Sequence, residues 1–369
     1  MQRNEFIREF QNIKRIVIKI GSNLIVQEEK IQYNHLENLI RSILFLRELN
    51  KEVILVSSGA VALGRKKLKK RFKDYVPQEF PTIIRKQALA SIGQIELMNL
   101  YDQLFLEEKI AISQVLITAK DFRDRETYLN IGHTIQELLR LNIIPIINEN
   151  DTVSTDELKF GDNDYLSAAV AALLQSQLLI LLTSVEGFIV DGKRISVLQN
   201  ITEEIIKHAK GPVGHGSGGM YSKIRVGKLC QQAGVHVAIL PGSLEEVIRK
   251  FITGDDVGTL ILSKKKTLPA RKKWLLFAKT KGAVIIDEGA EYALKNRGSS
   301  LLFAGIKNIE GSFTYGDVVA IKNFKNQILG RGIINIPSRI IKLHLQNNSN
   351  HIEGFPFEVI HRNDMILEE

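Results

Sequence analysis

The chain has 369 residues, of which 44% are hydrophobic and 25% are charged, a composition typical of a globular protein with a full core. This length exceeds that of one ordinary domain and predicts two. The single cysteine, Cys230, excludes an intramolecular disulfide and a cysteine-based zinc cluster, and its apolar helical surroundings predict a buried, inert thiol. The net charge of +9 favours polyanionic partners, among which nucleotides count as much as RNA.

The first part of the chain alternates short β-branched runs with longer segments of helical apolar spacing. The predicted strands are Arg15–Ile20, Glu52–Ser57, Ile110–Leu116, Ile143–Ile147, Leu178–Leu182 and Val235–Leu240. The predicted helices include His35–Leu49, Ile84–Glu107 and Thr127–Leu141. Because the strand runs are almost wholly apolar, we expect an α/β fold whose mainly parallel sheet is covered by helices on both faces.

The sequence shows no segment that reads as a signal peptide or a membrane span. The N-terminal residues have no apolar core of signal-peptide length. The most apolar stretch, Leu166 to Leu182, is interrupted by Gln175-Ser176-Gln177 and predicts a buried helix followed by a buried strand. These features predict a cytoplasmic location.

A change in composition divides the chain. Residues 264–273 are basic, contain Pro269 and lack periodicity, which predicts a linker. The α/β domain is therefore expected over residues 1–263 and a small, mostly β domain over residues 274–369. Strand-like runs in the second domain are Ala283–Ile286, Ser300–Leu302, Gly316–Ile321 and Gly330–Ile336.

Two lysines lie in glycine-containing segments about two hundred residues apart. Lys19 ends a buried-strand pattern that breaks at Gly21, and Lys223 follows the glycine-rich run of residues 214–219 and opens a helical segment. Strand-to-turn and loop-to-helix junctions present backbone N–H groups and ammonium charges to phosphate oxygens. Two cationic contacts on one phosphate group suit phosphoryl transfer, which depends on alignment and charge neutralisation. Basic clusters at 65–71 and 264–273 are read either as solvated loops or as polyanion contacts.

Small or polar residues follow the other predicted strands. The segment Ser57 to Gly64 either lets a ligand approach the backbone or packs tightly. Residues 148–151 (Asn-Glu-Asn-Asp) and 160–164 (Phe-Gly-Asp-Asn-Asp) form either a polar ligand site or a solvated loop with helix caps, since Asp162 or Asp164 can cap the next helix. Carboxyl ends of parallel strands collect ligands. Asp151 and Asn163 suit an α-amino group and the region of Ser58 suits a carboxylate, so an amino acid with a second carboxylate fits.

The turn after the fifth strand, at Thr183 and Ser184, and the glycine-rich run before Lys223 could together hold a nucleotide. The sequence contains no GxxxxGK[ST] motif and no GxGxxG motif opening a first βαβ unit, which excludes the two familiar nucleotide-binding signatures. It also contains no HExxH or other spaced metal motif, so no metal held by protein side chains is predicted. His215, alone in the glycine run, reads as a loop hydrogen-bonder rather than a catalyst.

These segments, in this order, resemble the amino acid kinase family. The similarity is carried by IKIGS, SSGAVALG, INENDTVST, GDNDYLSA and GSGGMYSK, and the C-terminal part resembles a PUA module. The combination resembles the branch that uses ATP to phosphorylate the γ-carboxylate of L-glutamate, giving L-glutamyl 5-phosphate in the first step of proline synthesis. Two departures fall in the nucleotide region: Ser184 stands where members commonly have Asp, and the turn at 191–194 is short.

The resemblance implies a role for each site residue. Lys19 and Lys223 would neutralise the transferred phosphoryl group, Asp162 would organise the two lysines, and Ser58, Asp151 and Asn163 would bind glutamate. ATP, accompanied by Mg²⁺, would be contacted by Lys19, Thr183, Ser184, Ser217, Gly218, Gly219, Met220, Tyr221, Ser222 and Lys223. No general base is needed, because a γ-carboxylate with a pKa near 4 is already ionised at neutral pH.

The resemblance also implies partners and leaves alternatives open. It implies proline as a feedback inhibitor, homo-oligomerisation and functional coupling to a glutamyl phosphate reductase. The alternatives are another amino acid kinase, acting on acetylglutamate or aspartate, and RNA binding through the PUA-like domain of a basic chain. Base recognition in RNA usually uses exposed aromatic residues, and many aromatic residues of this domain occupy strand positions that predict core, which disfavours RNA.

Overall fold

The structure is a computed structural model that describes residues 3–71, 83–122, 124–154, 162–210, 219–264, 268–346 and 358–367. The chain divides into two compact units, Met1–Thr267 and Leu268–Glu369. The exact boundaries predicted from the sequence, 1–263 and 274–369, stay predictions.

The first unit alternates strands and helices, as its apolar pattern predicts. Its strands are β1 (Arg15–Ile20), β2 (Val26–Gln27), β3 (Lys30–Ile31), β4 (Glu52–Val56), β5 (Ile112–Ile117), β6 (Ile144–Glu149), β7 (Leu178–Thr183), β8 (Ile189–Val190), β9 (Lys193–Arg194), β10 (Val197–Leu198), β11 (His236–Pro241) and β12 (Thr259–Ile261). Its helices are α1 (Arg3–Phe10), α2 (Tyr33–Glu48), α3 (Ala60–Arg71), α4 (Ile83–Glu107), α5 (Arg125–Arg140), α6 (Asp162–Leu173), α7 (Glu203–Lys210), α8 (Met220–Ala233) and α9 (Val247–Thr253), with a 3₁₀ turn at Ser22–Leu24.

Eight of these strands form one sheet in the order β10-β12-β11-β7-β1-β4-β6-β5. Neighbouring strands are parallel except for the antiparallel pair β11 and β12. Strand β1 lies at the centre, with β4 on one side and β7 on the other, so the direction of winding changes there. Ligands of doubly wound sheets bind beyond the carboxyl ends of the strands at such a switch point. The expected mainly parallel fold is confirmed.

The alternation of side chains along β1 separates a core face from the face that carries a lysine. Ile16, Ile18 and Ile20 pack into a large cluster with residues of α1, α2, α4 and α9. Lys19 therefore points to the opposite face, where α6 packs across β1, β4, β6 and β7. Helices that connect parallel strands run antiparallel to them, so α6 and α8 both begin at the carboxyl edge of the sheet.

The predicted elements of this unit are confirmed with shifts of one or two residues at their ends. The apolar stretch from Leu166 is the buried part of α6 followed by β7, and Gln175 in the turn between them has a left-handed backbone with φ of 52°. Cys230 is fully buried in α8, as its apolar surroundings predict, and burial raises the pKa of its thiol.

The second unit is mostly β. Its strands are β13 (Gly282–Ile286), β14 (Leu301–Leu302), β15 (Ile306–Gly311), β16 (Val318–Asn323), β17 (Ile328–Ile333), β18 (Glu358–Ile360) and β19 (Met365–Leu367). Its helices are α10 (Ala270–Phe277), α11 (Glu288–Tyr292) and α12 (Ser338–Gln346), with 3₁₀ turns at Phe303–Gly305 and Arg362–Asp364 and a π turn at Ala293–Arg297. Five strands form a sheet in the order β15-β13-β16-β17-β19, and β14 pairs with β18.

The predicted linker at 264–273 is partly wrong, because α10 begins within it at Ala270. The four residues Trp274 to Phe277 are buried, and the helix packs on β17 and β19 of its own unit. The basic residues of the first turns hid this helix from a reading of composition. The four predicted strands of this unit are confirmed, whereas β15 was not predicted, since its burial does not alternate along the strand.

Candidate active site

The carboxyl ends of β1, β4, β6 and β7 open into one cavity of about 670 Å³. Each of these strands ends in a polar or glycine-containing segment, and the first turns of α6 and α8 close the same side. Site residues predicted from the sequence that line the cavity are Lys19, Ser58, Asp151, Asn163, Thr183, Ser184 and Lys223. The structure thus brings seven of the predicted residues together in one place.

A single carboxylate lies between the two lysines. The Nζ atom of Lys19 is 2.7 Å from Oδ1 of Asp164, and the Nζ atom of Lys223 is 3.0 Å from Oδ2. Lys19 comes from the end of β1 and Lys223 from the first turn of α8, while Asp164 lies in the first turn of α6. The side chains of the three residues are 10%, 8% and 2% exposed. A buried triad of this kind fixes the positions of both ammonium groups.

The opposite charges of the triad offset the free-energy cost of burying each charged group. Burial by itself raises the pKa of Asp164, but the charges and hydrogen bonds of Lys19 and Lys223 outweigh it, and the net pKa lies below its usual value. For Lys19, burial is the largest influence and lowers the pKa, with Asp164 acting in the opposite direction. The carboxylate therefore stays ionised at neutral pH and contributes a fixed negative charge between two cations.

Among the described side chains, Asp164 is the carboxylate that joins the lysines, and the role expected for Asp162 stays a prediction. Asp162 is the first residue of α6, and its side chain lies outside the described residues. Both aspartates lie in the first turn of the same apolar helix, so the sequence provides no spacing that separates them.

Polar side chains from α4, α6, β6 and the segment after β4 form a hydrogen-bonded chain beside the triad. Nδ2 of Asn163 donates to Oγ of Ser58 at 2.8 Å and lies 3.5 Å from Oδ1 of Asn148. Nδ2 of Asn148 donates to Oε1 of Gln94 in α4 at 2.8 Å. Oδ1 of Asn163 is buried and has no hydrogen-bond partner among the described residues. A buried acceptor without a partner is costly, so this atom is suited to a ligand donor.

Sequence reasoning missed Gln94 because it lies within a long helix whose polar residues look solvated. The sequence signal for Gln94 was weak, because α4 contains three glutamines and nothing in their spacing distinguishes this one. Its contact with Asn148 depends on the packing of α4 against the sheet.

Charged groups of both signs lie near the outer part of the cavity. Asp151 follows β6, and burial raises the pKa of its carboxyl group, while the positive charge of Lys86 acts in the opposite direction. Lys86 and Arg65 are exposed and line the cavity as well. This side of the cavity therefore offers a carboxylate to an ammonium group and cations to a carboxylate.

The segment after β4 combines both roles considered for it. Ser58, Gly59 and Ala60 line the cavity, and Gly59 has a φ of +101°, a conformation that favours glycine. Four residues further on, Gly64 packs against Gly93 of α4. A Cβ atom at Gly93 would lie 1.7 Å from the carbonyl oxygen of Ala60. Close packing of α3 on α4 thus holds the ligand-facing backbone in place.

The structure describes only part of the region that is expected to bind the nucleotide. Thr183 and Ser184 line the cavity, and α8 begins with Met220, Tyr221, Ser222 and Lys223 after Gly219 as N-cap. The N-terminus of a helix directs backbone N–H groups and a partial positive charge toward anions. Ser217 and Gly218, and with them His215, lie outside the described residues.

Two features are absent from the part of the chain that the structure describes. Within it, no group of three or more His, Cys, Asp or Glu residues could hold a metal ion. No helix within it has the length and apolarity needed to span a membrane.

Comparison with known proteins agrees with the fold. The amino acid kinase family model matches residues 14–240, and the PUA domain model matches residues 282–353. The chain is 41% identical to the glutamate 5-kinase of Dictyoglomus thermophilum, covering 96% of this chain and 97% of that protein. It is also 41% identical to the glutamate 5-kinase of Pelagibacter ubique, covering 96% of this chain and 98% of that protein. Among solved structures, Giardia lamblia carbamate kinase bound to AMP-PNP has a TM-score of 0.49 at 16% identity, covering 69% of this chain and 100% of that chain. The chain belongs to the amino acid kinase family and, within it, to the glutamate 5-kinases.

Proposed function

We propose that this protein transfers the γ-phosphoryl group of ATP to the γ-carboxylate of L-glutamate, forming L-glutamyl 5-phosphate and ADP as the first step of proline biosynthesis. The observation that carries the proposal is the pair of lysines held on one carboxylate in the cavity at the switch point of the sheet. The glutamate 5-kinases at about 40% identity over nearly the whole chain support the choice of glutamate.

The reaction needs no proton transfer to begin. An oxygen of the ionised γ-carboxylate attacks the γ-phosphorus of ATP, a new carboxyl oxygen–phosphorus bond forms, and the bond from the γ-phosphorus to the bridging oxygen breaks. The electron pair of that bond leaves with ADP. The obstacle is repulsion between two anions, so positioning and electrostatic stabilisation are the main contributions of the protein.

Lys19 and Lys223 supply this stabilisation. Because the triad fixes both ammonium groups before the substrates bind, little reorganisation is needed as charge develops on the transferred group. Asp164 acts as a positioning residue, since its two oxygens are already bonded to the lysines. Its lowered pKa keeps it ionised, so it is suited to hold the lysines and not to donate a proton.

Glutamate would lie between Ser58, Asp151 and Asn163. The carboxylate of Asp151 and the free Oδ1 of Asn163 are acceptors for the α-ammonium group. The backbone N–H groups near Ser58 and the cationic side chains of Arg65 and Lys86 suit the α-carboxylate. The γ-carboxylate then extends toward the lysines at the centre of the cavity.

ATP would approach from the side of β7 and α8, in contact with Thr183, Ser184 and the run Ser217 to Lys223. Mg²⁺ would be held by the phosphate oxygens of ATP and by water, which are among its usual ligands. The carboxylate of Asp164 would not be needed for it, since both of its oxygens are ion-paired with lysines. When bound, it would neutralise charge on the phosphate oxygens.

A coupled assay with glutamate, ATP and Mg²⁺ tests the proposal, with hydroxylamine added to trap the acyl phosphate as a hydroxamate. We expect ADP and hydroxamate to form together, and only with glutamate. Parallel reactions with aspartate, acetylglutamate and UMP separate glutamate from the other acceptors. ADP release without hydroxamate, or a higher rate with another acceptor, would refute it.

Several finer predictions belong to the same proposal: a cytoplasmic location, inhibition by proline, homo-oligomerisation and coupling to a glutamyl phosphate reductase. RNA binding by the PUA-like unit is the competing prediction. Filter binding of RNA measured against salt, with a Lys19→Ala variant as a fold control, separates it from the kinase reaction.

A further inference from the structure

The hairpin that follows the nucleotide side of the cavity is fastened at its base to β12. The chain leaves the cavity after Ser184 and forms the hairpin of β8 and β9. Phe188 and Ile195 close its base with a backbone hydrogen bond of 2.8 Å. Both also bond to the fully buried Thr259, whose Oγ1 accepts from the N–H of Phe188 at 2.8 Å and donates to the carbonyl of Ile195 at 2.6 Å.

A carboxylate in the loop before β12 fastens the outer strand of this hairpin. Oδ2 of Asp256 is 2.8 Å from Nη2 of Arg194, the last residue of β9. The same guanidinium group donates to the backbone carbonyls of Asp256, at 2.7 Å, and of Gly258. Oδ1 of Asp256 accepts from Oγ of Ser196 at 2.5 Å. Arg194 therefore holds the loop through a carboxylate and two carbonyl groups at once.

The N-terminal helix completes this arrangement. Nη1 of Arg3 in α1 lies 2.6 Å from Oδ1 of Asp256 and donates to Oγ of Ser196 at 3.1 Å. Its guanidinium carbon lies 5.0 Å from the centre of the Phe251 ring. The Arg3 side chain is only 9% exposed. Asp256 thus bridges two arginines from distant parts of the chain, and we call these three residues the hairpin anchor.

The turn after β7, which leads into this hairpin, is held at both ends. One end of this turn is fixed by the sheet, since the N–H of Gly242 donates to the carbonyl of Thr183 at 2.8 Å. The other end is fixed at Phe188 by Thr259. The turn between them carries Ser184 on the cavity wall, so a displaced hairpin moves the nucleotide side while the triad and the residues around Asp151 stay in place.

We propose that Asp256, together with Arg194 and Arg3, positions the nucleotide-binding turn and thereby sets the affinity for ATP without contacting either substrate. This inference rests on the proposed function for the identity of the nucleotide. It assigns a role in the reaction to residues that lie outside the cavity lining.

The chain offers a matched control for the test. Glu52 at the start of β4 also pairs with two cations, lying 3.1 Å from Lys14 and 2.6 Å from Arg15. It lies at the amino edge of the same sheet, opposite the cavity. Removing the charge at either position costs two ion pairs, but only Asp256 is joined to the hairpin.

The experiment compares Asp256→Asn with Glu52→Gln in the full-length protein. We expect Asp256→Asn to raise KM for ATP by roughly tenfold, with kcat and KM for glutamate changed by less than about twofold. Glu52→Gln should leave all three values unchanged. Arg194→Lys, which cannot form the forked contacts, should give an intermediate increase, and Asp256→Glu should restore part of the ATP affinity.

Direct titration with a fluorescent ATP analogue separates this inference from the proposed function. If wild-type protein forms no ADP with glutamate but binds the analogue more tightly than Asp256→Asn, the proposed reaction is wrong and the hairpin anchor stands. Unchanged analogue affinity in Asp256→Asn overturns the inference. Equal increases in KM for ATP and KM for glutamate would also overturn it, as would an equal loss of ATP affinity in Glu52→Gln. Either result would indicate a general loss of structure.

Discussion

The ammonium groups of Lys19 and Lys223 are bonded to opposite oxygens of the same carboxylate, at 2.7 and 3.0 Å. One lysine ends the central strand of the sheet and the other lies in the first turn of α8. Two like charges that are buried side by side repel each other, and the carboxylate of Asp164 between them offsets that repulsion. The pair is therefore held ready for a more highly charged anion, such as a phosphoryl group in transfer.

Replacing Lys19 or Lys223 by alanine removes one of these charges. We expect kcat/KM for glutamate phosphorylation to fall on the order of 100- to 1,000-fold, the usual effect of losing one preorganised charge at a transition state. Circular dichroism should show a retained fold. Lys70→Ala, at an exposed lysine of α3, should leave the rate unchanged. Activity within about tenfold of wild type in either site variant would contradict the mechanism.

Asp164→Asn should be more damaging to the fold than Asp162→Asn. The first variant removes the negative charge that pairs with both buried ammonium groups, and losing one partner of a buried ion pair typically costs about 3–5 kcal/mol. Urea denaturation of both variants checks this difference. If Asp162→Asn lowers the free energy of unfolding as much as Asp164→Asn does, the assignment of Asp164 as the organising carboxylate is wrong.

The stability of the first unit should decrease as the pH falls below 6.5. Burial lowers the pKa of His236 from 6.5 to about 4, so the folded state binds fewer protons than the unfolded state between these values. Its contribution is complete above pH 6.5 and is lost as the pH falls toward the folded pKa, by about 2 kcal/mol at about pH 5.

Urea denaturation at neutral pH and at about pH 5 measures the His236 effect. His236→Gln should flatten the pH dependence by this amount, because glutamine can still accept the hydrogen bond from the N–H of Ser263 and does not titrate. His133→Gln, at an exposed residue of α5, serves as the control. An unchanged pH dependence in His236→Gln would show that other groups are responsible.

Gly93→Ala tests the contact between α3 and α4. The new Cβ would lie 1.7 Å from the carbonyl oxygen of Ala60, so the helices must separate and the backbone near Ser58 must shift. We expect a loss of several kcal/mol in stability and a higher KM for glutamate. Ser91→Ala, two residues away on an exposed position, is the control. A variant with unchanged melting temperature would mean that the helices can separate without strain.

Some elements of this chain could be predicted from its sequence and others could not, for physical reasons. Lys19 could be placed at the end of a buried strand because an apolar run broken by Lys-Ile-Gly has few other interpretations. Helix α10 was missed because its first turns are basic and its buried residues occupy only one short stretch. Strand β15 was missed because its buried residues, Ile306 and Ile309, are three positions apart and do not alternate with exposed ones.

Taken alone, the sequence determined the alternation of strands and helices and the presence of polar segments at several strand ends, because both depend on local periodicity. Only the tertiary structure decided that Asp164 pairs with both lysines, that Gln94 supports Asn148, and that Arg3 and Arg194 share Asp256. These contacts join residues far apart in the chain, or depend on the rotation of a helix by a fraction of a turn. Neither kind leaves a local pattern in the sequence, since each is set by how strands and helices pack.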